Sequence, residues 1–143
     1  MKDKRFKNHN NWATPKKLYD ELNDKYNFDF DPCPLYAEFD GLSISWGERN
    51  FINPPYSKKL KEAFVKKAIE ESKKEKLCVM LLPVSTSSVL FHDYILPNMS
   101  DIHFIKGRIA FEGVNSKGIK TTKGIGMHDS MLVIFDGTGI HKI

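Results

Sequence analysis

Two cysteines, Cys33 and Cys78, are all that 143 residues contain. They share no metal-ligand spacing and each sits in an apolar run. Neither a metal centre nor a disulfide framework is expected, and both read as reduced thiols of an intracellular, cytoplasmic protein. No apolar stretch approaches the roughly 18 residues of a membrane span. Residues 1–11 are polar and basic, without the apolar core of a signal peptide. There is no internal repeat and no low-complexity segment. These absences leave a single folded domain over residues 12–143, preceded by a basic arm. Its 41% apolar content suffices for one core. A net charge of +4, with a pI near 9.0, is compatible with a polyanionic partner.

The stretch that is present, and around which the chain is organised, is Arg49-Asn50-Phe51-Ile52-Asn53-Pro54-Pro55-Tyr56-Ser57. A short apolar run ends in Asn-Pro-Pro-Tyr. Two prolines fix φ twice, remove two N–H donors and bias the residue before each toward extended geometry. The expected product is a stiff strand end with an amide side chain before it, free carbonyls within it and an aromatic ring after it. That suits a flat ring carrying an amino group, such as adenine. The lone pair of such an amine is delocalised into the ring. Acceptors on its two N–H bonds, the Asn53 side-chain oxygen and the Pro54 carbonyl, would favour attack. Tyr56 could stack on the ring, and a base within a duplex would have to be flipped out. The plain alternative is a Pro-Pro turn.

Along the chain, Thr14 is an expected N-cap and Pro15 an expected first helical residue for an amphipathic helix over roughly 15–26. Asn27 to Pro34 alternates and ends in prolines, reading as the first strand of a parallel sheet. Asp31 then stands at its carboxyl end, either as a ligand contact or as a turn residue. The glycine-rich turn that would follow such a strand in a nucleotide loop is missing. Asp40-Gly41 suits a turn, although Asp40 could also reach a ligand. Trp46 reads as core or pocket wall. A helix over roughly 58–75 would cover the sheet, with lysines and glutamates on its outer face. Its Lys58, Lys59 and Lys61 either meet phosphates or are simply solvated. Lys76 to Pro83 reads as a central parallel strand buried on both faces, and Met131 to Phe135 as a last buried strand. A short helix is expected from Thr86 to Leu96, interrupted at Pro97. Short strands are expected at 102–105 and 108–111. Between them and the last strand, the loop 113–128 holds Lys117, Lys120 and Lys123 among four glycines. It is either an insertion or a track for a phosphate backbone.

Taken in order, the motifs are Trp12-x-Thr14-Pro15, Asp31-Pro32-Cys33, Asp40-Gly41-Leu42-x-x-x-Trp46, Asn53-Pro54-Pro55-Tyr56-Ser57, Leu81-Leu82-Pro83 and Lys106-Gly107-Arg108-Ile109-x-Phe111. Together they resemble the small phage and prophage DNA N6-adenine methyltransferases (Dam-like amino-methyltransferases), over about residues 12–135. The resemblance implies an α/β fold, a reduced Rossmann-like methyltransferase domain with a mostly parallel central sheet flanked by helices. It implies S-adenosylmethionine as cofactor and adenine in double-stranded DNA as substrate. Asn53, Pro54, Pro55 and Tyr56 then carry catalysis. Trp12, Thr14, Pro15, Asp31, Pro32, Cys33 and Asp40 lie at the cofactor. Lys58, Lys59, Arg108, Lys117, Lys120 and Lys123 would meet DNA.

The reaction implied is direct transfer of a methyl group to the amine, with no metal and no covalent enzyme intermediate. Most of the work is positioning. Two other functions fit the motif. One is methylation of another amine or amide, such as a protein glutamine. The other is a non-catalytic nucleic-acid-binding module that has lost cofactor binding. With no room for a separate recognition domain, site choice would fall to the 113–128 loop, the basic arm or a second copy in a homodimer. Phage DNA marked against host restriction is the biological setting the resemblance implies.

Overall fold

In the computed structural model the described residues are 13–34, 37–109, 113–114, 120–121 and 128–139, with backbone alone described for 113–114 and 120–121. The basic arm, Trp12, Lys117 and Lys123 lie outside them, as does the side chain of Lys120. The chain runs through α1 (Lys16–Tyr26), β1 (Arg49–Ile52), α2 (Lys58–Ser72) and β2 (Leu77–Pro83). A π-helical turn (Leu90–Ile95) passes into α3 (Leu96–Asn98), then β3 (Asp101–Phe104), β4 (Gly113–Val114), β5 (Lys120–Thr121) and β6 (Ser130–Asp136).

Four strands form one sheet in the order β1-β2-β6-β3. β1 and β2 are parallel, whereas β6 is antiparallel to both β2 and β3. The sheet is therefore mixed, not mostly parallel as expected. The reason is physical. A continuous apolar run records burial on both faces, and β6 is buried from Ser130 to Phe135. Burial does not record direction, so the run alone could not distinguish parallel from antiparallel pairing. The expected first strand survives as extended chain with a single parallel bridge, Phe30 to Asn50. It is tied to β1 by Asp29 N–H to Arg49 O at 2.8 Å and Phe51 N–H to Phe30 O at 3.0 Å.

Alternation along the strands divides the core into two layers. Phe51, Val79, Leu81, Leu132 and Ile134 face α1, where Leu22 and Tyr26 meet them. Ile52, Met80, Leu82, Met131 and Val133 face α2 and the π-helical turn, where Phe64, Val65, Leu90 and Ile95 meet them. Trp46 belongs to this second layer. It stacks on Phe64 with ring centroids 6.4 Å apart and donates its indole N–H to Gly41 O at 2.7 Å. Losing a buried aromatic such as Phe64 would cost about 3–5 kcal/mol.

Other expectations shift locally. Pro15, not Thr14, occupies the N-cap position of α1, and no side chain caps that helix. Pro97 lies inside α3, which continues to Asn98 and is not interrupted there. Arg108 and Ile109 are not in a strand. Gly107 turns the chain at φ 79° and Arg108 pairs with Asp129. Within the expected 113–128 loop, β4 and β5 pair antiparallel. Finally, Glu71 on the supposedly solvated face of α2 is fully buried.

Candidate active site

β1 carries the chain between the two core layers, with Phe51 1% and Ile52 0% exposed. Its ladder with β2 ends at Ile52 opposite Met80. Pro54 and Pro55 have no N–H to extend it, so the chain leaves the sheet as a stiff buried segment. Asn53 stands at that exit, 5% exposed. Its Nδ2 donates to Thr14 Oγ1 at 3.1 Å, and its backbone carbonyl accepts from the Cys33 thiol at 3.2 Å. The Cys33 N–H in turn donates to Asp31 Oδ1 at 2.9 Å. Two stretches distant in sequence, before α1 and after Phe30, thus close on the end of β1.

Thr14, Tyr19, Asp31, Cys33, Phe51 and Asn53 line a cavity of about 190 Å³ there. It presents a carboxylate, two hydroxyls and an amide against an aromatic wall. Burial, and then the nearby charges of Asp31 and Asp20, raise the Tyr19 pKa and keep that phenol neutral.

Tyr56 follows the prolines. It is half-buried, and burial raises its pKa well beyond the ordinary phenol value. The His128 ring meets it edge-on, with centroids 5.9 Å apart. Ser57 then precedes α2 in the N-cap position without a side-chain capping bond. The first turn of α2 has no acid to complement the positive end of its dipole, and it exposes Lys58 and Lys59. Like charge at a helix N-terminus costs roughly 0.3–1 kcal/mol per residue. The positive end of the α2 dipole and two exposed lysines thus stand together at this edge. Lys58 and Lys61 also rim a second cavity of about 240 Å³, floored by Leu82, Phe91, Ile95 and Met131.

Arg108 Nε donates to Asp129 Oδ1 at 3.2 Å on the exposed surface, and the Asp129 carbonyl accepts from Val84 N–H at 2.8 Å. Asn53, Pro83, Ile105 and Asp129 accordingly share one edge of the sheet: the carboxyl ends of β1, β2 and β3 and the amino end of β6.

A family model for DNA N-6-adenine-methyltransferase (Dam) matches residues 3–139. The chain belongs to the Dam family. No curated protein matches it. Within the Dam family frame, the motif residues of the chain fall into two groups. Asn53, Asp31, Cys33 and Thr14 converge on the cavity, whereas Pro54, Pro55 and Tyr56 follow Asn53 along the chain and do not line it. Asp40 does not line it. It is exposed, accepts from Leu42 N–H at 3.0 Å, and serves a turn of its own loop. That turn packs closely on the Asp31–Cys33 segment nonetheless: a Cβ on Gly41 would stand 1.9 Å from the Pro32 carbonyl. Pro15 starts α1, and Pro32 is buried beneath Gly41.

His128 and Asp129 are members of this edge that sequence reasoning missed. Polar residues directly before an apolar strand were the available signal. In a mostly parallel sheet they would lie at the far end, and only the antiparallel course of β6 brings them here. Among the described residues no group of three His, Cys, Asp or Glu is arranged to hold a metal ion. Cys78 is not nucleophilic: burial pushes its thiol pKa up to about 12. No described helix is long and apolar enough to cross a membrane.

Proposed function

We propose that this Dam family member transfers a methyl group from S-adenosylmethionine to the exocyclic N6 amine of a flipped adenine in DNA, at the carboxyl end of β1. The observation that carries the reading is the Asn53 amide, buried and held by Thr14 on the wall of a cavity that also contains the Asp31 carboxylate. The donor set fits the cofactor. A carboxylate for an ammonium group, hydroxyls for a carboxylate and an aromatic wall for apolar carbons stand together. Asp31, Thr14 and the Cys33 segment would hold it. When bound, the cofactor supplies an electrophilic methyl on a sulfonium.

The protein's own groups position the acceptor. Asn53 Oδ1 and the Pro54 carbonyl accept from the two amine N–H bonds and favour electron density on nitrogen. These dipoles are set before reaction and cost no reorganisation during it. Pro54 and Pro55 keep the carbonyl and amide in fixed relation. Tyr56 stacks on the base as a neutral phenol, since burial raises its pKa. Asn53 is no base at any ordinary pH, so the proton leaves to solvent after transfer. Lys58, Lys59 and Arg108, with Lys117, Lys120 and Lys123, neutralise phosphates of the DNA strand. The test is to incubate the protein with methyl-tritiated S-adenosylmethionine and unmethylated DNA, then identify the labelled nucleoside. Label in N6-methyldeoxyadenosine supports the reading. Label in protein substrate and none in DNA overturns it.

A further inference from the structure

We infer that Thr14 is a positioning residue for the Asn53 amide. Its hydroxyl takes the nitrogen side of that amide and so leaves Oδ1, buried in this structure, as the atom to meet the amine. The inference rests on Asn53 being the amine acceptor. An asparagine amide has two faces, and rotating it by half a turn replaces an acceptor with a donor. A donor facing the amine N–H bonds would oppose the bonding that catalysis needs. At 5% exposure, solvent cannot choose the face for Asn53. The protein must choose it, and the contact in place is Nδ2 to Thr14 Oγ1 at 3.1 Å.

The surroundings agree with that role. The Asn53 backbone is fixed independently, by the Cys33 thiol on its carbonyl and by Pro54 after it. What remains to be set is the side chain. Thr14 stands 39 residues away in sequence, anchored by Pro15 and by α1, whose Leu22 and Tyr26 pack in the same layer as Phe51. Threonine before a helix ordinarily caps it, yet α1 begins without any side-chain cap. The hydroxyl is directed to Asn53 instead.

Two readouts test this. In ¹⁵N-labelled protein, the Asn53 side-chain NH₂ signals are assigned by their loss in Asn53→Asp. One proton of the pair should exchange slowly with solvent. In Thr14→Val that protection should fall by roughly tenfold, and Thr14→Ser should restore it. Unchanged Asn53 amide signals in Thr14→Val overturn the inference, whether or not the protein methylates DNA.

In kinetics, Thr14→Val should lower kcat by roughly tenfold or more even at saturating cofactor, over and above any rise in the cofactor KM. Thr14→Ser should recover most of the loss. A carboxylate has two equivalent oxygens and needs no orienting, so the same valine change should cost less in Asn53→Asp. A raised cofactor KM with unchanged kcat would assign Thr14 to the cofactor alone and overturn the inference. Wild-type protein that forms no N6-methyladenine would instead refute the proposed function, while the amide signals still decide the role of Thr14.

Discussion

Two asparagines three residues apart, Asn50 within β1 and Asn53 just after it, do opposite things. Asn50 is 0% exposed. Its Nδ2 donates to the backbone carbonyls of Gly47 at 2.9 Å and Leu77 at 3.1 Å. It clamps the amino ends of β1 and β2. Glu71 works beside it, accepting from Trp46 N–H at 2.6 Å, Lys76 Nζ at 2.9 Å and Lys74 Nζ at 2.7 Å. The Asn50 amide nitrogen and the Glu71 carboxylate at that end are matched to fixed partners from neighbouring segments. Asn53, at the other end, is nearly as buried, but it is held by a side-chain hydroxyl on a cavity wall. Burial does not separate structure from chemistry here. The kind of partner and the presence of a cavity do.

The largest effect that would sharpen this contrast is on turnover. Asn53→Ala should lower kcat by at least about 100-fold, as loss of one preorganised group typically does. Cofactor affinity by calorimetry should stay within about threefold, because Asn53 is assigned to the amine. Next comes the buried acid. Burial raises the Glu71 pKa, but hydrogen bonds from Lys74, the Trp46 amide and Lys76 outweigh it and hold the carboxyl at about 2, against 4.5 in the free side chain. A folded-state pKa below the unfolded one stabilises the protein above pH 4.5, and that stability is lost as pH falls toward 2. The contribution is about 3 kcal/mol. Urea unfolding from pH 6 to pH 2.5 should show the loss, and Glu71→Gln should be less stable at pH 6 with a flatter acid limb.

Tyr56→Ala should weaken binding of DNA carrying an extruded adenine by roughly 1–3 kcal/mol, the usual worth of a base–aromatic stack. Tyr56→Phe should keep most of that binding, since the ring face carries the stack. The smallest effects belong to the rim. Lys58→Ala and Lys59→Ala should each reduce the slope of log affinity against log salt by about 1, measured by fluorescence anisotropy.

Much of the site could be read from residues alone, because Asn53-Pro54-Pro55-Tyr56 imposes its own geometry. Prolines end a ladder wherever they fall, and the flanking polar and aromatic groups are then presented in known order. Asp31 before Pro32 and Thr14 before Pro15 could be found the same way. What escaped depends on pairing across the chain. The direction of β6 is set by its partners β2 and β3, not by its composition, so His128 and Asp129 could not be placed at the site edge. Glu71 looked like one more charge on a Lys/Glu-rich helix, because the Trp46 amide and Lys76 that bury it come from other elements. Thr14 had the right neighbours for a cap, and only the fold gave its hydroxyl another destination. Asp40 served the turn that Asp-Gly suggested.

The central claim is that methyl transfer belongs to the Asn53 end of β1 and architecture to the Asn50 end. The direct measurement puts Asn53→Ala and Asn50→Ala through one assay of N6-methyladenine formation in DNA, at saturating cofactor, with the folded fraction of each variant determined. The account predicts that activity per folded molecule vanishes in Asn53→Ala and persists in Asn50→Ala, which should instead lose about 1–3 kcal/mol of stability through its orphaned buried partners. Retained N6-methyladenine formation in Asn53→Ala would contradict it.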